Sequence, residues 1–247
     1  MFHVAVSPCS NPQLGLEACF QAYGALGYRR FEAFTSWCAS ALDIHADPRP
    51  YLALAAEHGF AYSAIHCPPL GDDLDASLPE AVQACRFGAL LGCRCAIVKA
   101  RSQADFLAGL PPLLDAVEGL AITPVLQNHK GTAITTLDDY RAVLDGVADP
   151  RLFATLEVGH FHAVGVPWHE GYEALGERIR HVHVKDQVGA QSVPFGTGEI
   201  DLPGLFARLV EDGYRGDVVV EMEVADKENT LRYLGDARAY LEEHTPR

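Results

Sequence analysis

The 247-residue chain contains no apolar run approaching the ~18 residues needed to cross a bilayer. Its richest stretch, residues 81–100, is interrupted by Arg86 and Arg94. The opening residues MFHVAVSPCS lack the basic start and long apolar centre of a secretory leader. Cysteine is absent beyond Cys95, the total of seven is odd, and no CxxC pair occurs, which argues against a disulfide framework. The cysteines therefore read as reduced, mostly buried thiols, and the chain as cytoplasmic. Cys93 and Cys95 would share one side of a strand, but they make a poor metal pair. Basic residues are also few: 19 Lys+Arg stand against 33 Asp+Glu, a net charge of −14. Duplex binding draws its affinity from Lys/Arg displacing counterions, so nucleic acid is excluded as a partner, and an anionic membrane surface with it. No Pro/Gly/Ser-rich linker or low-complexity segment divides the chain.

What the chain does have is 49% hydrophobic residues arranged as short β-rich runs alternating with helical patterns. Strands are expected at 2–6, 28–34, 60–67, 94–99, 121–127, 152–158, 179–185 and 217–224. Helices are expected at 14–26, 50–58, 78–91, 104–117, from Thr136 with a capping-box spacing to Asp139, and at 169–177, 203–212 and 226–243. Eight strands, each followed by a helical stretch, give a repeat of about 31 residues, the size of one βα unit. The simplest architecture is one (β/α)8 TIM barrel domain over residues 1–247. A doubly wound open sheet is the alternative, but Ser7-Pro-Cys-Ser-Asn-Pro12 is not the Gly-rich phosphate turn such a sheet usually carries after its first strand.

A barrel of this kind carries its active site at the C-terminal ends of its strands. Here those ends hold His66, then Gln127-Asn128-His129, Glu157 followed by His160, His181-x-His183-x-Lys185, and Glu221-x-Glu223. Gln127, Glu157, His183 and Glu221 are separated by 30, 26 and 38 residues, one βα unit each. One polar group from each of four consecutive strands can surround a small cation, and carboxylate, amide and imidazole donors suit Mg, Mn, Co or Zn. His181 and His183 fall on one side of their strand, about 6.6 Å apart, with His183 nearer the rim.

Four stretches in order resemble signatures of the sugar phosphate isomerase/epimerase family, the xylose isomerase-like TIM barrels. They are Gln127-Asn-His-Lys-Gly131, Glu157-Val-Gly-His160, His181-x-His-x-Lys-Asp186, and Gly196-Thr-Gly-Glu-Ile-Asp201 leading to Gly213-Tyr-Arg-Gly216 and Val220-Glu221. Looser likeness extends to Gly27-Tyr28-x-x-Phe31-Glu32 and Ile65-His66. The resemblance implies metal ligands at Gln127, Glu157, His183 and Glu221, with Glu221 favoured over Glu223. Catalysis is expected from Glu221 with His160 or Lys185. His66, Glu32, His129 and Trp168 are read as substrate contacts, with rim salt bridges the alternative for Glu32, His129 and Lys185 and packing the alternative for Trp168. Two departures matter. The family usually has Glu where this chain has Gln127, and Asp where it has Glu157. Gln offers a carbonyl oxygen but is no base, and the longer Glu157 needs a different cavity.

The activity expected from this resemblance is metal-dependent isomerisation or epimerisation of a small carbohydrate or polyol-derived substrate by proton abstraction next to a carbonyl. With one acid missing, dehydration of the inosose- or dehydroshikimate-dehydratase kind is an alternative, and a non-catalytic sugar- or partner-binding barrel a third. An endonuclease IV-type barrel would need more His and acidic ligands, and Lys99 stands where its fourth strand would carry a His. The glycines at 196 and 198 are read as shaping a loop, with a phosphate cradle as the weaker option. A homo-oligomer is left open.

Overall fold

The computed structural model describes residues 2–71 and 73–246. Eight parallel strands close into a barrel: β1 (His3–Val6), β2 (Arg30–Ala33), β3 (Ala61–His66), β4 (Cys95–Val98), β5 (Thr123–Gln127), β6 (Phe153–Glu157), β7 (Ile179–Val184) and β10 (Asp217–Val220). Closure is between β1 and β10, which pair in register from His3–Asp217 to Val6–Val220. Around the barrel run α1 (Leu16–Ala25), α2 (Arg49–Glu57), α3 (Leu74–Leu91), α4 (Gln103–Ala116), α5 (Leu137–Val147), α6 (Val158–His162), α7 (Trp168–Leu175), α8 (Leu202–Glu211) and α9 (Thr230–His244). No described helix is long and apolar enough to cross a membrane.

Strand alternation sorts the side chains into two populations. Ala96, Val98, Leu126, Leu156, Val182, Val184, Val218 and Val220 face outward and form the main core against the helices. Inside the barrel, Ala64, Cys95, Ile97 and Val125 make a small apolar plug. One step further along the same inward rows come Gln127, Glu157, His183 and Glu221. The register places Glu157 directly beside His183, so adjacent strands deliver their polar ends to one level. All seven cysteines are free and buried.

The helix starts follow local chemistry. Thr136 and Asp139 form the expected capping box on α5. Asp73 accepts from the Ala76 amide, so α3 begins at Leu74, a turn earlier than the expected 78, with Pro79 inside it. The last barrel strand stops at Val220, short of the expected 224, because its neighbour β7 also ends there in register. One unexpected feature is a hairpin, β8 (Asp186–Val188) with β9 (Gln191–Val193), between β7 and α8.

Tyr140 of α5 is buried and points its hydroxyl between the Leu126 carbonyl, at 3.0 Å, and the Thr155 carbonyl, at 2.6 Å. It ties its helix to β5 and β6, the two strands that end in Gln127 and Glu157. Tyr140→Phe should cost about 1–2 kcal/mol, the loss of a buried hydrogen bond, read as a lower denaturant midpoint with the fold retained. An unchanged midpoint would show that the hydroxyl contributes nothing to this junction.

Candidate active site

At the floor of the barrel mouth lies the carboxylate of Glu32, which is completely buried. His183 Nε2 donates to its Oε1 at 2.7 Å and His181 Nε2 at 3.0 Å. His66 Nε2 lies 3.1 Å from Oε2, out of hydrogen-bond alignment. Burial alone would raise the Glu32 carboxyl, but His183 and His66 outweigh it and hold it well below the usual range. Glu32 therefore sits beneath the mouth and fixes imidazoles.

With its Nε2 engaged, His183 turns Nδ1 toward the opening. Around that atom stand Glu157 Oε2 at 2.9 Å, the Gln127 side-chain nitrogen at 3.2 Å and Glu221 Oε1 at 3.4 Å. All four residues expected as ligands thus meet at one point. The second oxygen of each carboxylate is anchored elsewhere: Glu157 Oε1 accepts from the Gly159 amide at 3.2 Å, and Glu221 Oε2 meets Lys185 Nζ at 2.6 Å. Glu157, His183 and Glu221 can together hold a metal ion. A half-turn of the Gln127 amide, which exchanges its oxygen and nitrogen, adds a fourth donor. The donor set fits a divalent cation, and the Glu32–His183 bond is the carboxylate–histidine contact that orients such ligands.

Burial would lower the His183 imidazole, but Glu32 and Glu221 outweigh it and push it well above its ordinary value. A proton and a divalent ion are alternatives for the same Nδ1 lone pair. Burial raises the Glu157 carboxyl, and Lys185 relieves only part of that. For Glu221 the balance reverses: Lys185 and His183 overcome burial and keep it ionised.

Lys185 is buried and bridges Glu221 to Glu223, whose Oε2 is 2.7 Å from Nζ. A Cβ at Gly159 would collide with the Lys185 stem, which explains the glycine between Glu157 and His160. Glu223 itself is exposed, and of the two acids on this segment Glu221 is the one that reaches His183. His160 and His129 lie with ring centroids 3.7 Å apart. Burial, then the Lys185 charge, pushes the His160 imidazole down to about 2, so it stays neutral. His66 is pushed down to about 4 by burial and then by Lys99, and stacks on Phe34 at 3.9 Å. Trp168 is half-buried at the start of α7, packed against the core with its ring beside His169 and Tyr172. The phosphate-cradle option at 196–198 fails, because the Gly196 and Gly198 amides both donate to Asp186 Oδ2 at 2.9 Å.

Sequence reasoning missed three residues here. Asn128 clips β5 to β6, accepting from the Glu157 amide at 3.1 Å and donating to its carbonyl at 3.0 Å. Cys9 is buried beside Glu221 and Glu223. Lys99, at the end of β4, places its ammonium 5.5 Å over the Phe34 ring. For Asn128, adjacency to Gln127 in the motif was an available signal.

Replacing Glu32 by Gln removes the charged acceptor that orients His183. Mn2+ retention, measured by competition with a chelating dye, should weaken by about 10–100-fold. Wild-type affinity in the variant would show that Glu32 does not organise the ligand set.

Residues 20–244 match the family model described as xylose isomerase-like TIM barrel. An inosose dehydratase of Clostridium perfringens is 28% identical over 142 residues, 49% of this chain and 48% of that protein. Fructoselysine 3-epimerase of Escherichia coli O157:H7 is 24% identical over 136 residues, 53% of this chain and 47% of that protein. The chain thus spans about half the length of the curated relatives it matches. Among solved structures, the IolI protein with a bound zinc atom superposes with a TM-score of 0.80 at 16% identity over 98% of both chains, a likeness of fold. With its closed barrel and a match running through most of its length, the chain belongs to the xylose isomerase-like TIM barrel family.

Proposed function

We propose that this protein is a metal-dependent isomerase or epimerase that removes a proton next to the carbonyl of a sugar, keto-sugar or polyol-derived substrate. The observation that carries this reading is the convergence of Gln127, Glu157 and Glu221 on the free nitrogen of His183. These four residues would hold Mn, Mg, Co or Zn. Such an ion supplies positive charge beside a substrate oxygen and so acidifies the neighbouring C–H.

The chain's own groups divide the remaining work. Glu221, kept ionised by Lys185, is the base that takes the proton. Neutral His160, with the tilted His129 ring packed against it, offers ring nitrogens to substrate hydroxyls. His66 has two buried ring nitrogens without an aligned partner among the described residues. Seven free, buried thiols support a cytoplasmic setting.

Gln127 favours a second reading, dehydration. A neutral amide cannot exchange protons on the opposite face, so two-base epimerisation loses one partner. In this route Glu221 removes the proton and Lys185, hydrogen-bonded to it, protonates the departing hydroxyl. The inosose dehydratase among the relatives supports it.

Both readings share their first step, which solvent exchange detects without net product. Purified protein with Mn2+ and a panel of ketoses and inososes in deuterated water should add one mass unit to at least one of them. Glu221→Gln should slow that exchange at least about 100-fold, the usual worth of a positioned base. Undiminished exchange in the variant would remove Glu221 from the mechanism. No exchange with any member of the panel, and no metal retained, would favour the non-catalytic barrel.

A further inference from the structure

The two lysines at the barrel mouth are in opposite electrical situations. Lys185 lies among carboxylates, 2.6 Å from Glu221 and 2.7 Å from Glu223. Lys99 is half-buried, and among the described residues its ammonium makes no ion pair and no hydrogen bond. What it does meet is the face of Phe34. Burial pushes its pKa down, and the fields of Glu32 and Glu221, neither of them in contact with it, offset only part of that.

Lys99 lines a partly open cavity of about 240 Å³ together with Gln127, His129, Thr132, Phe106 and Pro69. Among the described residues no carboxylate lines it. The volume is below the ~300–1,000 Å³ of drug-sized ligand pockets, so it suits one small group or one end of a ligand. Gln127 belongs both to this cavity and to the ligand set around His183. A glutamate at 127 would place a negative charge on the cavity wall, whereas the amide leaves the wall neutral and donates hydrogen bonds. An unpaired ammonium in a partly buried hollow is costly unless something anionic joins it. The mouth is thus divided: acids and their lysine on the β10 side, and on the β4–β5 side a neutral amide and a cation that touches no carboxylate among the described residues.

We propose that Lys99 seats an anionic group of the substrate, a carboxylate or a phosphate ester, so that the site takes an acidic or phosphorylated sugar rather than a neutral one. This rests on the functional reading above for the location of the substrate, but its test needs no turnover. The Gln127 amide lies on the same wall, where an acid would repel the incoming anion. Together they orient the ligand with its charged end toward β4 and its neutral end toward Glu221.

The test is equilibrium binding at fixed ionic strength of two matched pairs, D-glucuronate against D-glucose and fructose 6-phosphate against fructose, followed by calorimetry. The charged member of at least one pair should bind about tenfold or more tightly, the usual worth of a hydrogen bond to a charged group. Whether the sugar acid or the phosphate ester shows the preference identifies which anion the site takes. Lys99→Met should bring that ratio close to one, and Lys99→Arg should keep it. Lys99→Met should melt no lower than wild type, since it removes an unpaired charge. The proposal is overturned if both anions fail to bind at 10 mM, if the preference survives in Lys99→Met, or if borohydride traps a covalent adduct on Lys99. A charge preference without deuterium exchange would leave this assignment standing and remove the proposed chemistry. Exchange without charge preference would do the reverse.

Discussion

The hydrogen bond between the buried carboxylate of Glu32 and Nε2 of His183 is the contact on which the mouth of the barrel depends. An imidazole has two nitrogens, and this bond decides which one is left over. Because Glu32 takes Nε2, Nδ1 faces the opening, and Glu157, Gln127 and Glu221 can only gather on that side. The same carboxylate holds His181 one step deeper on the same strand. A buried acid is tolerable here because cationic and donor imidazoles surround it; without them it would be an isolated charge in a low-dielectric interior.

Above this floor the site is organised by dividing each carboxylate between two tasks. One oxygen of Glu157 and one of Glu221 point at the common centre, while the others are held by the Gly159 amide and by Lys185. Gly159 serves both halves of this arrangement: its amide anchors Glu157, and its missing side chain makes room for the Lys185 stem. The motif Glu-Val-Gly-His is thereby explained by packing as much as by chemistry. Asp186, the residue after Lys185, is an anchor of the same kind. It gathers the Gly196 and Gly198 amides so that the loop after the hairpin folds back onto the end of β7.

Most of this was legible in the chain. Strand periodicity and one polar residue per βα unit located the barrel and the four side chains that meet at His183 Nδ1, because inward-facing alternation is a property of local sequence. Glu32 was harder. Its motif was visible and was read as a substrate contact, but its place below the rim, where it holds His181 and His183, is a matter of register around the closed barrel. Lys99 was noticed only as a residue that was not histidine, since nothing local to it shows that its ammonium lacks a carboxylate partner among the described residues. The hairpin after β7 was missed because its strands are three residues each, too short to show a period. The start of α3 was misplaced because Pro79 is a common first-turn residue, and the Asp73 cap that overrides it acts from six residues earlier.

The central claim is that a divalent ion belongs on the Nδ1 side of His183, and a second grouping makes it a sharp one. Glu32, His66 and His183 also bring ligand atoms close enough to share an ion, on the Nε2 side of the same ring. Anomalous diffraction from crystals soaked in Mn2+ separates the two directly. The account predicts one peak about 2.0–2.3 Å from His183 Nδ1, bounded by Gln127, Glu157 and Glu221. A peak between Glu32 and His66, or none at the mouth under saturating Mn2+, would contradict it.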